Sequence, residues 1–208
     1  MVEKLKRIEV EEKLKSLGIA VFTPREFAGV FGVTIKRATN FISTNLESGL
    51  FLKLRNNFYM IKDSIPNYFL IANKLYRPSY ISLETALSHY KIIPEVVYGI
   101  TSITAKASRE FKTSIGVFGY QRIKKSAFTG YNLQELEGER VLFAEAEKAL
   151  ADYLYFVDLK KVSLNDRMEL KRIDKKKLIQ YANLFKRPGM AKLIKQVYAG
   201  YKKSRKIY

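Results

Sequence analysis

The sequence predicts an α+β protein: an N-terminal winged helix-turn-helix over 1–64, then a C-terminal α+β domain over 65–208 with a small antiparallel sheet and several helices. Three observations carry this. Between Thr23 and Ile61, two capped amphipathic segments precede a short two-strand pattern around Asn56-Asn57. Between Val96 and Tyr131 the apolar period becomes alternating, with β-branched and aromatic residues around Gly116 and Gly119. From 159 onward the chain turns basic and returns to helical spacing.

In chain order, residues 2–17 read as a helix with Leu5, Ile8, Leu14 and Leu17 on one face, a Glu9–Lys13 pair one turn apart, and Gly18 as its stop. Ile19 to Phe22 suits a short strand paired with the wing. Thr23 and Glu26 form a capping box, and Pro24 falls at the first helical position, where its missing N–H costs nothing. Phe27, Val30 and Phe31 give that helix its buried face, and Gly32 ends it. Thr34 can cap the next helix, whose Ala38, Ile42 and Leu46, with Phe41 beside them, face inward before Gly49 terminates it. The small Ala38 lets two helices cross closely.

The opposite face of this second helix carries Lys36, Arg37, Thr39, Asn40, Ser43 and Thr44. Such side chains can reach base edges or neutralise phosphates, which is what a recognition helix requires. Strands near 51–55 and 58–61 follow, joined at Asn56 and Asn57, since Asn tolerates left-handed turn conformations. Alternation would point Lys53 and Arg55 outward beside a DNA backbone. These residues, with Asn56 and Asn57, are the candidate DNA contacts.

Lys62 to Asn67 is the linker candidate. Tyr68 to Leu75 reads as a short apolar helix broken by Arg77-Pro78, and Ser82 to Tyr90 as another, capped by Ser82. Three or four antiparallel strands are expected in 96–131, with a hairpin turn at Thr113-Ser114, and one more at Val141 to Phe143. Ala144 to Phe156 is rich in strong helix formers. Residues 166–208 should give two or three helices, with one stripe at Leu178, Ile179, Ala182 and Phe185 and another at Met190, Leu193, Ile194, Val197, Tyr198 and Tyr201.

Charge narrows the partner. The 208-residue chain has net charge +18, which points to a polyanion, most simply nucleic acid. Residues 1–65 contribute +4, residues 66–158 contribute +1, and residues 159–208, with 16 basic and 3 acidic side chains, contribute +13. Lys192, Lys195, Lys202, Lys203 and Arg205 are therefore the phosphate-contact candidates. Zero cysteines exclude disulfides, cysteine-ligated zinc and thiol catalysis, and one histidine, His89, supplies no histidine-rich centre. No cofactor or metal is expected. No 18-residue apolar run marks a membrane span, and the charged N-terminus lacks a signal-peptide core, so the expectation is a cytoplasmic protein with no membrane partner.

Two stretches carry a family resemblance. Arg77 to Tyr90, containing Ser82-Leu83-Glu84-Thr85-Ala86-Leu87, is followed by Ile93-Pro94-Glu95, Ile100 to Lys106 and Arg109-Glu110-Phe111. Later come Phe118-Gly119-Tyr120, Gly130-Tyr131 and Ala144 to Asp152, containing Glu147-Lys148-Ala149-Leu150. Over roughly 20–157 the chain resembles the AbiEi antitoxins. The resemblance implies a type IV toxin–antitoxin (abortive infection) regulator whose winged helix represses its own operon at promoter inverted repeats. It implies a nucleotidyltransferase-like toxin, AbiEii, as functional partner without a stable complex, a C-terminal domain contributing to antitoxicity, and no catalytic residue. A monomer or weak dimer on double-stranded DNA is expected.

Two alternatives stay open: a winged-helix regulator without a toxin partner, and a nuclease. A nuclease would cluster carboxylates and a lysine around a metal. Glu110-Phe111-Lys112, Asp158-Leu159-Lys160 and Glu169-Leu170-Lys171 fit that pattern at the level of chance in a chain that is 28% charged. Asp152 beside Asp158 and Lys160 is the best such set, although its helix would make Asp152 a surface acid or a helix partner. Glu147-Lys148 and Glu139-Arg140 read as surface ion pairs. The expectation is a protein that is not an enzyme.

Overall fold

The computed structural model describes residues 5–63 and 66–204, with side chains to Tyr201. The protein is mixed α+β. Its N-terminal part runs α1 (Arg7–Ser16), β1 (Val21–Phe22), α2 (Pro24–Phe31), α3 (Ile35–Glu47), β2 (Phe51–Arg55) and β3 (Phe58–Ile61). The three strands form an antiparallel sheet in the order β1-β3-β2. Then come α4 (Tyr68–Leu75), β4 (Ser79–Ile81), α5 (Leu83–His89), β5 (Ile100–Thr104), β6 (Arg109–Thr113), β7 (Gly116–Arg122), β8 (Tyr131–Leu136) and β9 (Glu139–Ala144). The chain finishes with α6 (Ala146–Asp158), α7 (Lys175–Asn183) and α8 (Gly189–Ser204).

The second sheet is neither small nor purely antiparallel. It has six strands in the order β6-β7-β5-β4-β9-β8, and its β5–β7 and β4–β9 pairs are parallel. The hairpin β6–β7 follows local turn chemistry, with the Thr113 hydroxyl donating to the Gly116 carbonyl at 2.8 Å. The return of β7 alongside β5 is a non-local pairing that no turn signal announces. Strand β4, three residues long, is too short to show a period.

Two apolar cores hold the fold. One lies inside the N-terminal elements, where Phe22, Phe27 and Phe51 meet Val10, Leu14, Ala38 and Ile42. In α1 the buried residues are Val10 and Leu14; Ile8 and Leu17, expected on the inner face, are exposed. The larger core is built on the six-stranded sheet and also takes in Val21, Leu54 and Met60. The three-stranded sheet is thus packed against the rest of the molecule.

A polar island sits inside the larger core. Lys148 and Asp152, one turn apart on α6, form an ion pair with both side chains fully enclosed. The Asp152 carboxylate also accepts the hydroxyls of Tyr80, at 3.0 Å, and Ser82, at 2.8 Å. Burial pushes Asp152 up and Lys148 down from their ordinary ranges, each against the pull of the other's charge. Of the two readings of Asp152, surface acid or helix partner, the second holds. Two expectations are corrected, since Lys148 is not half of a surface pair with Glu147 and the Ser82 side chain does not cap α5. A lone charge here would be prohibitively costly, so each partner is required by the other.

Candidate nucleic-acid interface

The capping box forms as its spacing requires. The Thr23 side chain accepts the Glu26 N–H, while the Glu26 carboxylate accepts the Thr23 N–H at 2.8 Å. Gly32 ends α2 in a left-handed conformation at φ 61°. Thr34 then caps α3 by accepting the Arg37 N–H at 3.3 Å. These local bonds fix the link between the helices, and the ring of Phe27 stacks on that of Phe41 at 5.7 Å to hold them together.

This packing decides which face of α3 is outward. Ala38, Ile42 and Asn45 are buried. Lys36, Thr39, Asn40, Ser43 and Thr44 are exposed, and Arg37 is partly exposed. Asn45 is satisfied within its own helix, its amide donating to the Phe41 carbonyl at 2.8 Å. Thr39 is less versatile than its residue type suggests. Its hydroxyl donates to the Ile35 carbonyl at 2.9 Å, which leaves acceptor lone pairs and a methyl group for any outside partner.

Strands β2 and β3 bring Lys53, Asn56 and Asn57 to the same hairpin, all three exposed, with Asn57 left-handed at φ 63°. Arg55 departs from the expectation. A register irregularity between Lys53 and Arg55 breaks the alternation that would aim it outward. Its guanidinium instead donates to the carbonyl of Leu75, from Nε at 2.9 Å and from Nη2 at 2.6 Å. It lies over the Phe58 ring at 3.8 Å and near the Phe111 ring at 5.2 Å. Arg55 ties the hairpin to the end of α4 and to β6; its donors toward Leu75 are occupied.

The C-terminal candidates divide. Lys192 and Lys195 are exposed on α8. The side chains of Lys202 and Lys203, and the whole of Arg205, lie outside the described residues. Two other bases of this quarter are engaged: Lys177 pairs with Glu145 at 2.8 Å, and Arg187 pairs with Asp158.

The carboxylates of the nuclease alternative are also accounted for. Asp152 is sealed in the core, Asp158 holds Arg187, and Glu110 lies 3.8 Å from Lys112. Among the described residues, no group of three or more His, Asp or Glu side chains is arranged to hold a metal ion. No helix among them is long and apolar enough to cross a membrane.

Sequence reasoning missed Arg55 as a clamp and Lys148 and Asp152 as an enclosed pair. A signal existed for the second. Lys148 and Asp152 are four apart in a stretch whose Ala149, Leu150, Ala151, Tyr153 and Leu154 leave no polar face for a solvated charge. Compared with known proteins, the chain matches no family model and no curated protein.

Proposed function

We propose that the N-terminal elements are a winged helix-turn-helix that binds double-stranded DNA in a sequence-specific manner, with α3 in the major groove and the β2–β3 hairpin beside the backbone. One observation carries the reading. The outward face of α3 gathers Lys36, Arg37, Asn40, Ser43 and Thr44 without an acid among them, while its inward face is apolar and capped in place. Asn offers a bidentate match to adenine, Arg to guanine, and exposed Lys side chains neutralise phosphates. Lys53 and the Asn56-Asn57 turn suit backbone contacts. The basic C-terminal quarter, through Lys192 and Lys195, adds sequence-independent attraction to the same polyanion.

The biological role that fits is autoregulation: a repressor at inverted repeats of its own promoter, acting as the antitoxin of a type IV toxin–antitoxin system with a nucleotidyltransferase-like toxin. The likeness of Ser82 to Leu87 and Glu147 to Asp152 to the AbiEi antitoxins supports this role. Footprinting of the full chain on its promoter region tests the DNA reading. Protection of inverted repeats, lost on a scrambled fragment of equal length, is the expected result; uniform weak protection of both would overturn it. Expression of an adjacent nucleotidyltransferase gene with and without this chain tests the antitoxin role separately.

A further inference from the structure

Two carboxyls are pushed above their ordinary range by burial, and they are treated differently. Asp152 is met by Lys148, Tyr80 and Ser82. Glu84, half-buried in the first turn of α5, pairs with no cation among the described residues; its own backbone N–H is the one group favouring its charged form. An ionised carboxylate in apolar surroundings without a partner is expensive, and a ligand that completes it is correspondingly favoured.

Glu84 lines a cavity of about 350 Å³ whose walls include Val97, Tyr153, Phe156 and Val162. That is the size of a small-ligand site, and its apolar walls with few polar groups are the usual character of one. The Tyr153 hydroxyl is already used, donating to the Ser163 carbonyl and accepting the Asn165 N–H at 3.0 Å, so this residue offers its ring. Lys161 lines the same cavity, its ammonium 5.8 Å from the centre of the Phe156 ring. Among the described residues, Glu84 and Lys161 form no ion pair with each other or with any other group. One cavity thus presents an acid, a base and an apolar floor, with neither charge neutralised by the other.

We propose that this cavity binds a free apolar α-amino acid. Its ammonium meets Glu84, its carboxylate meets Lys161, and its side chain lies on Val97, Tyr153, Phe156 and Val162. A ligand carrying both charges on one small frame can satisfy both residues. A neutral or purely anionic compound would leave Glu84 uncompensated.

Calorimetric titration of the full chain with L-phenylalanine and L-leucine tests this, alongside phenethylamine, which lacks the carboxylate, and 3-phenylpropionate, which lacks the ammonium. Saturable binding of the amino acids with Kd of about 1 mM or tighter is expected, with phenethylamine roughly tenfold weaker and 3-phenylpropionate not saturating. Glu84→Gln should weaken phenylalanine by at least about tenfold. Lys161→Met, at an exposed position that carries no fold risk, should weaken phenylalanine and leave phenethylamine unchanged. Absence of saturable amino-acid binding, equal binding of the amine and the acid, or a Lys161→Met effect on both ligands alike would overturn the proposal.

Discussion

The guanidinium of Arg55 holds the last carbonyl of helix α4, that of Leu75, through two hydrogen bonds of 2.9 and 2.6 Å. The bond pair joins the hairpin that follows α3 to the body built on the six-stranded sheet. Two donors on one acceptor need the rigid fork of arginine, and the flanking Phe58 and Phe111 rings favour its flat faces.

Arg55→Ala should therefore act on stability before it acts on DNA. Losing a charge-assisted bond and a cation–π contact costs about 2–3 kcal/mol, or a melting temperature lower by roughly 5–10 °C. Arg55→Lys should recover little of it. The salt slope of DNA binding should be unchanged in Arg55→Ala and shallower by about one in Lys53→Ala. A shallower slope in Arg55→Ala would show that this side chain leaves Leu75 for a phosphate.

Base reading and phosphate attraction should separate. Arg37→Ala and Asn40→Ala are expected to cost about 1–3 kcal/mol on the best site and to relax sequence preference. Lys192→Ala and Lys195→Ala should weaken all sequences evenly and flatten the salt slope by about one unit per lost contact. Competition titrations against random DNA measure both effects.

The enclosed pair makes a sharper stability prediction. Lys148→Met should cost about 3–5 kcal/mol by leaving Asp152 charged and only partly compensated. Asp152→Ala should cost at least as much, because it strands the hydroxyls of Tyr80 and Ser82 together with the Lys148 ammonium. Urea unfolding of both variants at neutral pH checks the order.

Gly130 sits at φ 76°, and a Cβ placed there would come within 2.7 Å of the Tyr181 ring and 2.9 Å of the Lys148 side chain. Gly130→Ala combines a left-handed strain with overpacking and should destabilise by about 2–4 kcal/mol. Thermal unfolding is the readout, with Gly138→Ala, at φ 78° in open space, as the control for strain alone.

Acid should loosen the attachment of α7. Burial opposes the charged form of Glu145, but its bonds with Lys177 and Tyr181 outweigh that and hold the carboxyl below its ordinary 4.5. A depressed acid stabilises the fold fully above its unfolded value and loses that contribution as pH falls through the folded one. Below pH 4.5 the melting temperature of the wild-type chain should drop more steeply than that of Glu145→Gln.

What the sequence made legible follows from how local each feature is. Thr23, Glu26, Pro24 and Gly32 act within one helical turn of themselves, so the α2 boundaries could be read directly, as could the turn at Asn57. The outward face of α3 followed from Ala38 and Ile42 at one-turn spacing. The parallel pairing of β5 with β7, the packing of Val21, Leu54 and Met60 into the larger core, and the inward turn of Arg55 depend on partners far away in the chain. Composition could count the lysines but could not tell that Lys148 is enclosed while Lys195 is exposed.

Two stretches far apart in the chain converge on a single buried point, where Ser82 and Lys148 share the carboxylate of Asp152. Helix α3 packs into the other core, so its half-dozen outward side chains can be rewritten without disturbing the keystone.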